Sequence, residues 1–567
     1  MAGVRIAPLV ALLTGCFAVG YEDLPSPDGD GGPVSTCSSD DDVGAPYAGG
    51  NGQAETPYRI CTTDQLIAAI TRSEDLGAYF ELSDHLDLTG INFDGIGSMD
   101  TPFTGVFDGQ GFTISGLNIA TDMRSGVGFF NAVDGARISN LVFESPEIQA
   151  DTSSSVGTVI GYCDRSQLVN TTINDMVVRG GSDVGGIAGE QYECKLIGGT
   201  VSGTVVGQLD NVGGLVGATG QGDIIGFDAT LDVDSPLAYS VGGIVGLDGW
   251  SRTLVQDVNV EGTVVGFEDV GGFLGANGDG IYFYRSTFKG EVTGKSGVGG
   301  FAGAAYDIPF TIRSSSADVT INGNSEVGGM VGRFYYRSHF YDSYVTGTIN
   351  GTGANQDRFG GVFGGVEYYG WVERSYVNMT INSEARTVGG VAGGVGYWSA
   401  NVDAYDIKDC ITITDISGSS ATDTVSLFVG ENTDEPIIAT GSVHYAGASC
   451  VNNGTGGCGP GGAGVANLAD LYNPANAPMN TWDFDGIWVA NAGAMPTLDL
   501  SRGSEPSVAA SCDTQTLAQI DPDALPWVVT YNCDLAIADA DKNEEHTVLL
   551  GPGHTCSWIY PERAALE

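Results

Sequence analysis

The sequence predicts an all-β fold, a parallel β-helix, on three observations. The pattern Val212-Gly213-Gly214-Leu215-Val216-Gly217 recurs with starts at Val184, Val212, Val241, Val270, Val298, Val327, Phe359 and Val388, spaced 28 to 32 residues apart. Between copies run short stretches of period two: Val345, Gly347 and Ile349 alternate with Thr346, Thr348 and Asn350. Such alternation marks a strand with one buried face. Glycine is abundant, 88 residues against 20 prolines, without a Gly-X-Y register, which excludes collagen and favours frequent bends. A period of about 29 residues with three short strands suits one β-helix coil better than a propeller blade of about 40 residues, and no leucine-rich pattern is present.

Taken in chain order, the first element is an export signal. Arg5 precedes a short apolar run over residues 6 to 13, too short to span a bilayer. Its end, Leu13-Thr14-Gly15-Cys16, resembles the lipobox of bacterial lipoproteins, which implies cleavage of residues 1–15, lipidation of Cys16 and anchoring in a membrane. Phe17 after the cysteine, in place of Asp, resembles an outer-membrane address, so the expected location is the cell surface. Residues 16–48 are rich in Asp, Gly, Pro and Ser and read as a disordered tether.

An N-terminal cap and first coils are expected over residues 49–126. Thr62 and Gln65 fit a capping box ahead of Leu66, Ile67, Ala69 and Ile70, so a short helix is predicted to close the apolar end. The repeat body covers 127–430, terminal coils 431–500, and a cysteine-containing cap or module 501–567. At about 4.8 Å per strand, some eleven to fourteen coils would give a rod of roughly 55 to 65 Å.

Ten cysteines remain after Cys16, an even number that suits an oxidising compartment. Candidate disulfides are Cys163 with Cys194, which stacking brings together, Cys450 with Cys458, and Cys37 with Cys61.

The paired glycines and following apolar pair resemble the GLUG repeat of bacterial surface proteins, over about residues 50 to 500. That resemblance implies a right-handed β-helix displayed outside the cell, as a stalk or as part of a larger protein, including some immunoglobulin-cleaving metallopeptidases. Those enzymes carry His-Glu-x-x-His; none of the five histidines here, at 85, 339, 444, 546 and 554, belongs to such a motif. No metal site, cofactor or catalytic residue is assigned.

The formal charge of −48, from 22 Lys and Arg against 70 Asp and Glu, repels phosphate backbones and excludes nucleic acid as a partner. A threonine column, Thr204, Thr230, Thr263, Glu291, Thr320, Thr348 and Thr380, is expected to face outward. Aromatic residues gather in the later loops: Tyr282, Tyr284, Tyr306, Tyr335, Tyr336, Tyr368, Tyr369, Trp371, Tyr397 and Trp398, interleaved with Arg337 and Arg374. Rigid aromatic faces with a few donors suit sugar rings and protein partners, while the structural alternative is that these rings fill coil corners. The expected function is a non-enzymatic adhesion or recognition stalk with an extracellular glycan or surface protein as ligand. A polysaccharide lyase or glycosidase and a structural spacer are the alternatives; Asp183, Asp269 and Glu326, near motif starts, are not diagnostic of catalysis.

Overall fold

In the computed structural model, the described residues are 32–38, 46–249, 253–278, 280–306, 310–335, 338–367, 370–395, 406–418, 424–432, 440–445, 463–500, 530–531, 545–549 and 555–559. Residues 31–500 form one unit and residues 1–30 with 501–567 another. The first is a parallel β-solenoid of about eleven turns: its most regular sheet holds eleven strands, from Phe130–Asp134 to Val429–Asn432, each hydrogen-bonded in parallel to the equivalent strand of the next coil.

Each regular coil has four strands rather than the three expected. In one coil they are the long strand Asn259–Val265, then Glu268–Gly271, Leu274–Asn277 and Ile281–Tyr284. The repeated motif is the bend between the second and third strands: Val270-Gly271 ends one and Leu274-Gly275 begins the next. Its three glycines are there for space, since none has a left-handed φ. A Cβ on Gly271 would lie 2.2 Å from the Leu274 carbonyl oxygen, and one on Gly272 2.2 Å from that of Gly300 in the following coil. A Cβ on Gly275 would lie 2.2 Å from the backbone carbon of Ser240 in the preceding coil. Backbones meet too closely at this corner for any side chain.

The left-handed positions fall elsewhere, on glycine and on other residues alike. One column just precedes the motif: Ser155, Asp183, Asn211, Ser240, Asp269, Glu326 and Arg358 all have φ between 51° and 61°. A second, after the fourth strand, contains Arg165, Glu193, Gln221, Asp257, Arg285, Ser314, Asp342, Arg374 and Asp409. This conformation is costly for most residues and favours Asn and Asp. Lateral contacts hold it: Asn211 Nδ2 donates to Asp183 Oδ1 at 2.7 Å, and Arg374 Nε and Nη2 donate to the two oxygens of Asp342 at 2.6 and 3.1 Å. After this second corner runs a serine ladder, Ser286, Ser315, Ser343 and Ser375. In it Ser286 N–H donates to Ser315 Oγ, Ser315 N–H to Ser343 Oγ and Ser343 N–H to Ser375 Oγ, at 3.1 to 3.2 Å.

Inside, the motif valines stack from Val127 to Val388 at 0 % exposure, with Phe359 in the same column. Phe273 and Phe301 stack with centroids 4.4 Å apart, and Phe283 meets Phe301 edge-on. Each fully buried aliphatic or phenyl side chain contributes about 1.5 to 3 kcal/mol, so the columns are the main cohesive element.

Helix Thr63–Thr71 covers the N-terminal end with the full capping box: Gln65 N–H donates to Thr62 Oγ1, and Gln65 Oε1 accepts from Thr62 N–H. Cys37 and Cys61 form a disulfide that joins the segment 32–38 to this cap, and Cys163 and Cys194 bridge adjacent coils. Two disulfides indicate a chain that folds in an oxidising, extracytoplasmic compartment. At the other end coil strands continue to Ala463–Val465. Residues 467–500, expected as coils, instead form short 3-10 turns and an antiparallel strand pair. Trp482 and Trp488 there pack with Tyr376 and Ile411, and Trp482 Nε1 donates to the Asp409 carbonyl at 2.9 Å. In the second unit Thr530–Tyr531, Glu545–Leu549 and Thr555–Ile559 form an antiparallel sheet.

The outward threonine column needs one correction. Strand register pairs Thr204 with Asp232, Asp232 with Thr263, then Glu291, Thr320, Thr348 and Thr380 in turn, so Asp232 holds the place expected of Thr230. Thr230 lies two residues away, beside Ser202 and Glu261. Spacing between motif starts does not count the residues between the first two strands, which differ from coil to coil.

Candidate functional site

Among the described residues, the aromatic side chains singled out from the sequence fall in two groups, on fourth strands and at the ends of third strands. Tyr282, Tyr284 and Trp371 lie on fourth strands, where register aligns Tyr282, Thr311, His339 and Trp371 in one column and Tyr284, Arg313, Tyr341 and Glu373 in the next. Tyr282 is 9 % exposed. The His339 ring sits 4.5 Å from that of Trp371, and His339 Nδ1 is hydrogen-bonded to the Tyr341 hydroxyl. Arg285 grips both Asp257 oxygens at 2.8 and 2.7 Å and lies 4.9 Å from the Tyr284 ring centre. Arg374 is occupied by Asp342 and Glu373. The rings and cations of this face chiefly contact one another.

Tyr306 and Tyr335 follow third strands and stack on each other at 5.2 Å. Tyr306 OH donates to Asp269 Oδ2 at 2.6 Å, Arg333 Nη2 donates to Asp269 Oδ1 at 2.7 Å, and Arg333 Nη1 donates to Glu326 Oε2 at 3.2 Å. Arg358 Nη1 donates to the other oxygen of Glu326 at 3.0 Å. Burial pushes the Asp269 carboxyl up, opposed by Arg333 and Tyr306. Burial and then Asp269 push the Tyr306 phenol up. Asp269 and Glu326 are thus parts of a lateral clamp between coils. Tyr336, Arg337, Tyr368, Tyr369, Tyr397 and Trp398 lie outside the described residues, as do Cys16, Cys450 and Cys458.

An open concavity lies on the long strands, where the sequence places Thr230 in an outward threonine column. The outward sides of the long strands frame a trough of about 410 Å³ that includes Thr200, Ser202, Asp228, Thr230, Asn259, Glu261, Thr287 and Lys289 among its lining, with Asn174 at one end. No aromatic side chain lines it. Its polar groups are already ordered across coils: Asn259 Nδ2 donates to Asp228 Oδ1 at 2.8 Å, Thr287 Oγ1 donates to Asn259 Oδ1 at 2.8 Å, and Lys289 Nζ donates to Glu261 Oε1 at 2.6 Å. Chemically it offers hydroxyl, amide, carboxylate and ammonium groups at the strand spacing of about 4.8 Å. The only local sequence signal is the mixture of Thr, Asn and acid at outward positions, which any wet strand shares.

Among the described residues no group of three or more His, Cys, Asp or Glu is placed to hold a metal ion. No protein-family model and no curated protein matches the chain. Among solved structures, it is similar to a Bacteroides ovatus protein described as a "putative immunoglobulin A1 protease". The identity is 16 %, the match covers 81 % of this chain and 97 % of that one, and the TM-score is 0.22. No activity is transferred on that likeness.

Proposed function

We propose that this chain is a non-enzymatic recognition stalk on the outside of a bacterial cell, anchored through lipid on Cys16, with a glycan as ligand and the long-strand trough as its site. The trough carries the reading: it is an open, preordered set of donors and acceptors reaching across adjacent coils, and hydroxyl-rich chains are recognised by such convergent polar groups. Its length along the coil axis favours a chain over a single sugar.

The placement of the carboxylates supports a non-enzymatic role. A glycosidase holds one carboxyl in apolar surroundings to keep its proton. Asp228 and Glu261 in the trough are exposed, and each accepts a hydrogen bond from a neighbouring coil. The acids that burial pushes up, Glu81, Asp164, Glu190, Asp269 and Glu367, all lie outside the trough lining; Asp269 is engaged by Arg333 and Tyr306, Asp164 by Arg165, and Glu190 by Ser155, whose hydroxyl donates to it at 3.1 Å.

The test is a glycan array probed with the full chain, followed by incubation of each bound glycan with the protein and assay of new reducing ends and unsaturated products. Saturable binding without turnover is expected. Turnover would make the protein an enzyme, and no binding to any glycan would remove the glycan reading.

A further inference from the structure

A second surface of the solenoid, independent of the trough, is apolar where its ladders are otherwise polar. At the far end of the long strands, register aligns Arg179, Val206, Asp234, Val265, Thr293, Asn322, Asn350 and Asn382 in one outward column. Only two members of it are aliphatic, Val206 and Val265, and they flank the coil that carries Asp234. The position two residues before the motif start is serine or charged in every other coil, as at Ser125, Ser154, Ser182, Asp210, Glu268, Ser296, Ser325, Asp357 and Arg386, but Tyr239 in this coil. Leu209 and Leu237, in the bends between first and second strands, are 60 % and 78 % exposed, and Tyr239 is 46 % exposed. Phe267, in the following bend, braces Tyr239 edge-on at 5.3 Å.

Val206, Leu209, Leu237, Tyr239, Val265 and Phe267 thus gather on three consecutive coils. Leu209, Leu237 and Tyr239 are exposed and the other three half-buried, and an exposed apolar cluster costs solubility unless something uses it. The coil does not need these rings and Val265, since later coils hold Thr293 and Asn322 in place of Val265, Ser296 and Ser325 in place of Tyr239, and Lys295 and Asn324 in place of Phe267.

We infer that this patch docks a basic, amphipathic segment of a partner polypeptide. Two observations select that occupant. Asp210 and Asp234 are exposed at the patch edge, with Glu268 half-buried beside them. Lys295 is already seated there, its ammonium 4.7 Å from the Phe267 ring centre and 3.7 Å from Glu268 Oε1. An apolar centre with a cation held between ring and carboxylate is the pattern such a segment would extend. A second copy of this chain would bring its own Asp210 and Asp234 against these, which the net charge of −48 makes unfavourable.

The probe is a fluorescent 14-residue amphipathic peptide of leucine and lysine, titrated into the full chain at physiological salt and followed by anisotropy. A serine and lysine peptide of equal charge and a leucine and glutamate peptide serve as comparisons. The leucine and lysine peptide is expected to bind saturably at one site. The double variant Leu237→Ser with Tyr239→Ser, confirmed folded by its circular dichroism melt, should weaken it at least about tenfold. Met123→Ser, which removes an apolar side chain 88 % exposed on a distant coil, should leave it unchanged. Equal binding by the double variant, or by the serine and lysine peptide, would overturn the proposal. So would a dimer of the wild-type chain in sedimentation velocity that the double variant abolishes, since the patch would then belong to a second copy.

Discussion

Arg333 reaches past an entire coil to hold Asp269, its Nη2 donating to Oδ1 at 2.7 Å across a sequence separation of 64 residues. The path is open because the intervening coil has Gly297 at this corner. A Cβ there would lie 2.5 Å from Asp269 Oδ1 and 3.2 Å from Arg333 Nε. The clamp therefore links three coils through a side chain that is missing.

Arg333→Met should destabilise the solenoid by about 3 kcal/mol near neutral pH, because it leaves a buried carboxylate unpaired. Asp269 is pushed above the ordinary carboxylate range by burial and pulled back by Arg333, so removing Arg333 raises it further. An acid raised in the folded state contributes stability that is present below its unfolded value and lost as pH rises through its folded value. Urea unfolding from pH 3.5 upward should show the variant losing stability relative to wild type across and above the carboxylate range. Arg333→Met combined with Asp269→Asn should lose that pH dependence.

The motif glycines and the left-handed glycines should respond oppositely to substitution. Gly272→Ala should cost about 3 kcal/mol, since its Cβ meets the Gly300 carbonyl oxygen and backbone must shift. Gly198, with φ +69° and nothing within 4 Å of a built Cβ, continues a corner where Asn140 donates to Asp108 and Asn170 to Asn140. Gly198→Asn should be neutral or stabilising by up to about 1 kcal/mol, through one more amide in that ladder. Thermal melts of the two variants check both.

How far this was legible in the sequence follows from the same residues. The period, parallel stacking and capping helix were readable because Val-Gly-Gly repeats and Thr62 and Gln65 are local signals. The strand count was not: Glu268–Gly271 and Leu274–Asn277 are four residues each, too short to display alternation. Asp183, Asp269 and Glu326 resembled surplus acids because a left-handed φ has no fixed side chain as its mark. The partners of the described aromatics were not legible, since Tyr284 lies on a fourth strand and Tyr306 just after a third, and each faces groups that only the coil register reveals.

The serine ladder predicts a further asymmetry. Ser315→Ala removes the acceptor of the buried Ser286 N–H and should cost about 1 to 3 kcal/mol. Cys410 occupies the next ladder position after Ser375, its N–H donating to Ser442 Oγ at 3.0 Å, so Cys410→Ser should be tolerated within about 1 kcal/mol. Burial pushes the Cys410 thiol up to about 12. Iodoacetamide at pH 8 should therefore leave it unmodified in the folded chain and label it after unfolding, as read by peptide mass mapping.

The central claim is that the ligand face is the long-strand trough and not the fourth-strand aromatics. It is tested most directly by titrating the best array-selected glycan into wild type, Asp228→Ala with Asn259→Ala, and Trp371→Ala. The account predicts at least about tenfold weaker binding for the trough variant, from lost polar contacts, and affinity within about twofold of wild type for Trp371→Ala. Loss of binding in Trp371→Ala with the trough variant unaffected would contradict it.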